Sequence, residues 1–264
     1  MKEYNNLYRE LYTAVYEMPK KYKEISLSDF VAMKGKRYSE KNKKVKFMLV
    51  GRATNGWGEL KKDSAETYAE DATRIFMKDN RFHTEWNMKD EDSNPYSEYT
   101  DARTGEKKKY YLSKSPFWST SKEVWCKLNS VDNKSDWYED IVWSNIYKIA
   151  PLESGNPSTN LIYAQAQICT KILKEEINVF KPTHILLVID ESWISWESRK
   201  KIMFDFMDSF NDVKDCSQSI PKNQEIVQKA FISNGTKVVV TCRPEQTERT
   251  VYANNVFETY RNMK

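Results

Sequence analysis

The chain has 264 residues, 39% of them hydrophobic, enough to bury one sizeable core, so a single domain over 1–264 is expected. Its 42 lysines and arginines against 38 aspartates and glutamates leave a net charge of +4, too small for a strong field over the whole molecule, so any attraction to nucleic acid must be local. No apolar run reaches the roughly 20 residues of a membrane span, and the opening MKEYNNLYRE lacks the apolar centre of a secretory signal, which predicts a cytoplasmic protein with no membrane partner.

Tyr4, Leu7, Tyr8, Leu11, Val15 and Met18 recur at helical spacing and predict an amphipathic helix ending before Pro19. Ser26 or Ser28 can cap a second short helix through Phe30, Val31 and Met33, so N-terminal helices should fill about 1–33. The run KGKRYSEKNKKVK then sets seven basic residues between Lys34 and Lys46 against Glu40 alone. It reads either as a solvated connection before a strand or as a phosphate-facing patch.

Four short apolar runs carry the strand signal: FMLVG from Phe47, IVWSNIYKIA from Ile141, ILLVID from Ile185 and VVVTC from Val238. Near-continuous apolarity is what strands covered on both faces of a parallel sheet show. Helical patterns follow each run: SAETYAEDATRIFM from Ser64, the face Ile168, Cys169, Ile172, Leu173 and Ile177, then RKKIMFDFMDSF, and last EQTERTVYANNVFETYRNM. The strand-then-helix order predicts an α/β fold, a three-layer α/β/α arrangement with a mainly parallel central sheet of about four strands and right-handed crossovers. Between about 81 and 140 the pattern breaks down, with Pro95, Gly105 and Pro116, five acidic residues from Asp90 to Asp101, and Lys107 to Lys109. This region reads as a partly irregular insert whose Phe117, Trp118, Val124, Trp125 and Leu128 fold back onto the core.

The four cysteines, Cys126, Cys169, Cys216 and Cys242, lie far apart without a CxxC pair and with only His83 and His184 to join them, so no metal and no cofactor is predicted. In a reducing compartment they read as small buried apolar residues.

In open α/β sheets ligands bind outside the carboxyl ends of the strands. There the chain places GRATNGWG (Gly51 to Gly58), then Asn145, Lys148, Pro151 and Gly155, then Asp190, Glu191 and Trp193, then Arg243 and Pro244. Three of the chain's seven glycines fall in that first loop. The loop lacks the spacing of a phosphate-binding GxGxxG or GK[ST] motif. It is either a ligand loop, with Asn55 as donor and acceptor and Trp57 as a stacking face, or a tight turn with Trp57 packed beneath it. Asn145, inside an apolar run, either reads the edge of a base or is satisfied by neighbouring backbone. Asp190 and Glu191 can serve as base, metal ligand or helix caps. Arg243 binds an anion or forms a structural ion pair with Asp190 or Glu191.

The order MLVGRATNGW, VWSNIYKIAP, FKPTHILLVID and VVVTCRP, from Phe47 to about Tyr260, resembles the uracil-DNA glycosylase superfamily. The resemblance implies that Gly51 and Asn55 belong to the loop that positions water, that Asn145 recognises the base edge, and that Pro244 ends the last motif, where Arg243 stands in place of the family's histidine. Together with the strand-end reading, which supplies Trp57, Lys148 and Asp190, this makes Asn55 and Arg243 the candidate catalytic residues, and Gly51, Trp57, Asn145, Lys148, Asp190 and Pro244 the candidate ligand-binding ones. The expected partner is DNA or a nucleotide-like ligand with a base flipped into the strand-end pocket. Two functions stay open: hydrolysis of an N-glycosidic bond, or binding of a nucleic acid or small ligand on the same fold without turnover.

Overall fold

The computed structural model describes residues 2–18, 26–53, 69–70, 88–89, 95–100, 105–133, 136–152, 156–193, 195–197, 203–222 and 224–264. In chain order these hold α1 (Lys2–Tyr16), β1 (Leu27–Asp29), β2 (Met33–Lys34), β3 (Phe47–Gly51), β4 (Met88–Lys89), β5 (Pro95–Thr100), β6 (Lys107–Tyr111), α2 (Pro116–Asn129), β7 (Ile141–Asn145), β8 (Ile149–Pro151) and α3 (Thr159–Phe180). They continue with β9 (His184–Val188), β10 (Ser195–Glu197), β11 (Met203–Asp205), β12 (Val213–Asp215), β13 (Val227–Ser233), β14 (Thr236–Thr241) and α4 (Arg249–Asn262).

The four apolar runs do lie side by side. β7, β3, β9 and β14 are neighbours and run parallel, with Gly51 opposite Asn145 and Val50 opposite Leu187. Among the described residues the sheet is wider than four strands and mixed: its order is β12-β13-β14-β9-β3-β7-β2, and the pairings of β2, β12 and β13 are antiparallel. Burial on both faces explains the missing period-two pattern in the central strands. Met48, Val50, Val142, Ile185, Leu187, Val238 and Val240 join a core with α1 and α3, whereas Phe47, Leu49, Ile141, Trp143, Leu186, Val188 and Val239 join one with α2 and α4. Helices therefore cover both faces, in three layers.

Local chemistry sets the helix limits. Pro116 opens α2, where a missing N–H costs nothing, and Ser130 closes it at a φ of 54°. At α3 the Ser158 Oγ accepts from the Leu161 N–H, and Lys181, at a φ of 48°, ends the helix. No helix among the described residues is long and apolar enough to cross a membrane.

Several expectations need correction. The segment after Ser26 forms strands β1 and β2 rather than a helix, because Leu27–Asp29 finds an antiparallel partner in Pro151–Ile149 and Met33–Lys34 one in Trp143–Val142. Ile141 to Ile149 is not one strand: the chain turns after Asn145, and β8 leaves the main sheet to pair with β1. In RKKIMFDFMDSF, Met203–Asp205 is a strand paired with Ser195–Glu197, and Phe206–Ser209 is a 3-10 turn. The first half of the insert is not irregular throughout but contains a three-stranded antiparallel sheet, β4-β5-β6, whereas its second half, α2, packs onto the core as expected, with Trp118, Val124 and Trp125 buried. Of the helix expected from Ser64, Ala69 and Glu70 are helical and the rest lies outside the described residues.

His184 gives the fold a pH dependence. Its ring packs edge-on against Tyr260 and hydrogen-bonds with the Thr183 hydroxyl at 3.0 Å, and burial, helped by the Lys237 charge, pulls its pKa down to about 4. An unfolded histidine titrates near 6.5, so between these values the unfolded chain binds a proton that the folded one refuses. Stability should fall as pH drops from about 6.5 to about 4, by up to about 3 kcal/mol from this residue. Urea midpoints measured across that range should show a clearly flatter decline in His184→Phe; an identical decline would mean that other groups carry it.

Candidate functional site

Because the four central strands are parallel, their carboxyl ends gather at one edge: Gly51, Asn145, Ile189 beyond β9, and Cys242 beyond β14. The chain leaves β3 toward β7 on one side and β9 toward β14 on the other, so the topological switch point lies between the ends of β3 and β9.

Asn145 is the most informative residue at this edge. It is 1% exposed, and the register that pairs it with Gly51 puts its side chain where a Gly51 side chain would be: a Cβ there would lie 2.5 Å from Asn145 Oδ1. The Phe117 ring, from the first turn of α2, would be 3.5 Å from the same Cβ. Asn145 Nδ2 is buried and has no hydrogen-bond partner among the described residues. A buried amide donor without a partner is rare and costly, and here it stands beside an aromatic ring at the end of a parallel sheet.

Behind Asn145 lies a buried charged network. Lys148, fully buried, donates from Nζ to Ser144 Oγ at 2.7 Å, to the Asn145 carbonyl at 2.8 Å, and to Glu176 Oε1 and Oε2 at 2.8 and 2.9 Å. Ser144 Oγ and the Tyr4 phenol also donate to Glu176, at 2.6 and 3.3 Å. Burial first, and then the Glu176 charge, push the Tyr4 pKa well above the usual phenol value, so it remains a donor. Gln165 Oε1 accepts from the N–H groups of Lys148 and Ile149, and its amide donates to the Ile149 carbonyl at 2.7 Å. Lys148 therefore does not face a ligand as expected. It clamps the backbone that carries Asn145.

The other expected residues divide. Asp190, at a φ of 77°, donates its N–H to the Thr241 carbonyl and accepts from the Ser192 N–H and hydroxyl at 3.1 and 2.9 Å, so its carboxylate caps the next turn. Glu191 pairs with Lys229 at 2.8 Å. Arg243, half-exposed, pairs with Glu245 rather than with Asp190 or Glu191, and buried Pro244 opens a 3-10 turn. Asn55 and Trp57 lie outside the described residues.

Two residues at this edge escaped the sequence reading. Phe117 looked like core because an aromatic near the start of an amphipathic helix usually is. Arg52 is the sole basic residue of GRATNGWG and follows Gly51 directly, a signal that was available. Its Nε donates to the Ile189 carbonyl at 2.6 Å across the switch point, and its guanidinium lies 4.8 Å from the centre of the Trp193 ring. Tyr147 meets the same Trp193 edge-on at 5.9 Å.

The basic run after Lys34 lies at the opposite, amino edge. Arg37 binds Asp136, Glu139 and Asp140, Lys43 binds Asp140, and Lys36 reaches Glu139 at 3.0 Å, so three of the seven cations tie the chain to the segment before β7. Two open clefts, of about 270 and 250 Å³, flank this clamp. In the larger, Tyr38 donates to the Phe180 carbonyl, so part of its polar lining is already engaged. Among the described residues no group of three or more His, Cys, Asp or Glu side chains is placed to hold a metal ion. Comparison with protein-family models and with curated proteins finds no match for this chain.

Proposed function

We propose that the chain is a uracil-DNA glycosylase-like protein that holds a nucleobase at the carboxyl edge of its sheet. The observation that carries this reading is the buried, unpartnered Asn145 Nδ2 beside Phe117 and Gly51. An amide offers a donor and an acceptor side by side, the complement of a pyrimidine edge, and a phenyl ring offers a stacking face. Gly51, with no side chain, leaves room for the Asn145 amide itself.

Hydrolysis of the N-glycosidic bond on this reading needs Asn55 to orient the water and Arg243 to receive the charge on the departing base. Binding without turnover is the second reading, and the Arg243–Glu245 ion pair favours it, since a cation already neutralised stabilises a developing anion less. An assay on single-stranded oligonucleotides containing uracil, hypoxanthine or an alkylated base, with release and binding measured on the same samples, tests both. Base release supports hydrolysis, base-selective binding without release supports the second reading, and neither overturns the nucleobase site.

A further inference from the structure

We propose that Arg52 forms an anion site at the crevice between the ends of β3 and β9, and that this site takes a phosphate group attached to the base held by Asn145. The proposal rests on the nucleobase reading for its ligand, but its geometry is independent of Asn145. Arg52 is fixed rather than freely mobile: its carbonyl accepts from the Tyr147 N–H at 2.9 Å, its Nε is held by the Ile189 carbonyl, and its plane rests on Trp193. Its two terminal amino groups have no hydrogen-bond partner and no ion-pair partner among the described residues. With Nε occupied, what remains is the outer fork of the guanidinium, the shape that meets two phosphate oxygens.

The two carboxylates whose charge reaches Arg52 are each engaged elsewhere. Asp190, the carboxylate nearest in sequence to Ile189, is engaged by Ser192, and Glu245 by Arg243. Burial, and then the charge of Arg243, lower the proton affinity of Arg52, against the opposing charges of Asp190 and Glu245. Adjacent strands are about 4.8 Å apart, so a base at the end of β7 and a phosphate at the crevice between β3 and β9 are about 7 Å apart along the sheet edge. That is the scale of one nucleotide. The same chemistry arises from a nucleic-acid strand or from a free nucleotide.

The test uses the full chain as wild type, Arg52→Gln, Arg52→Lys and Asn145→Ala, with retained folding checked by thermal melts. Arg52→Gln removes the charge but keeps a donor for the Ile189 carbonyl. Binding of a single-stranded uracil-containing oligonucleotide, followed by anisotropy over a salt series, should lose about 0.7 from the slope of log affinity against log salt in Arg52→Gln, the contribution of one single-strand phosphate. Arg52→Lys should restore the slope with weaker affinity. In parallel, calorimetry compares deoxyuridine with its monophosphate. A monophosphate preference in wild type that disappears in Arg52→Gln assigns the site to a nucleotide's own phosphate, and a salt effect on the oligonucleotide alone assigns it to a strand. A folded Arg52→Gln protein with the wild-type slope and wild-type preference overturns the proposal, as does wild type that binds neither probe. Asn145→Ala separates the two readings: loss of base selectivity there with an intact Arg52 effect upholds both. If the Arg52 effect stands while Asn145→Ala leaves selectivity unchanged, the base reading fails and the anion site remains.

Discussion

Lys148→Met should destabilise the fold by about 3–5 kcal/mol, because it strands the Glu176 carboxylate in a site with no exposure. Two hydroxyl donors, from Ser144 and Tyr4, would remain to that carboxylate, neither carrying charge. In a domain whose total stability is of the order of 5–15 kcal/mol this is a large fraction, easily read from the urea midpoint. Replacing both partners, as Lys148→Met with Glu176→Leu, should recover most of the loss, since a well-packed apolar pair in place of a buried ion pair is often neutral or better. The double variant should still differ from wild type at the site: the Asn145 carbonyl loses its Nζ donor, and the loop after β7 keeps only its Gln165 anchor. If the single variant loses less than about 1 kcal/mol, or the double variant is as unstable as the single, the network is not the support described.

The centre of the fold was legible because burial on both faces writes a simple signature: Phe47–Val50, Ile185–Ile189 and Val238–Val240 are unbroken apolar runs. The rim was not. In β13 the alternation is interrupted by a bulge between Val227 and Lys229, so VQKAFIS shows neither period cleanly. The turn that joins it to β14 was readable, since Asn234 and Gly235, with φ of 47° and 79°, form the Asn-Gly pair that two-residue hairpins favour. RKKIMFDFMDSF misled because its apolar spacing fits a helix, while the strand β11 is settled by its partner β10. At the site the same division holds. Asn145 stood out locally as an amide in an apolar run. Lys148 also stood out, but its meaning depends on Glu176, far along the chain on α3, and no local pattern announces such a pair. Phe117 reaches Gly51 across a comparable separation.

Asn145→Ala should abolish base selectivity, a loss of roughly 10- to 100-fold in binding, while leaving stability unchanged or slightly raised. The two halves follow from one observation. The Nδ2 donor is buried without a partner, so the folded protein bears its desolvation cost and gains nothing from it until a ligand supplies an acceptor. Removing the amide removes that cost in the free protein and the recognition in the complex, where an amide paired with a base edge is worth about 1–3 kcal/mol of discrimination, roughly 10- to 100-fold. Gly51→Ala tests the same arrangement from the other side. Its new Cβ would arrive 2.5 Å from Asn145 Oδ1, closer than such contacts allow, so the amide must move and base selectivity should fall although Asn145 is still present. If both variants act through the amide, their effects on binding should not add: the double variant should bind no worse than Asn145→Ala alone. The comparison is made by titrating matched single-stranded oligonucleotides with and without uracil, alongside urea unfolding of each variant. A large stability loss in Asn145→Ala with selectivity intact would make the asparagine a structural residue of the sheet edge, and additive losses in the double variant would mean that Gly51 acts on the site by a route other than the amide.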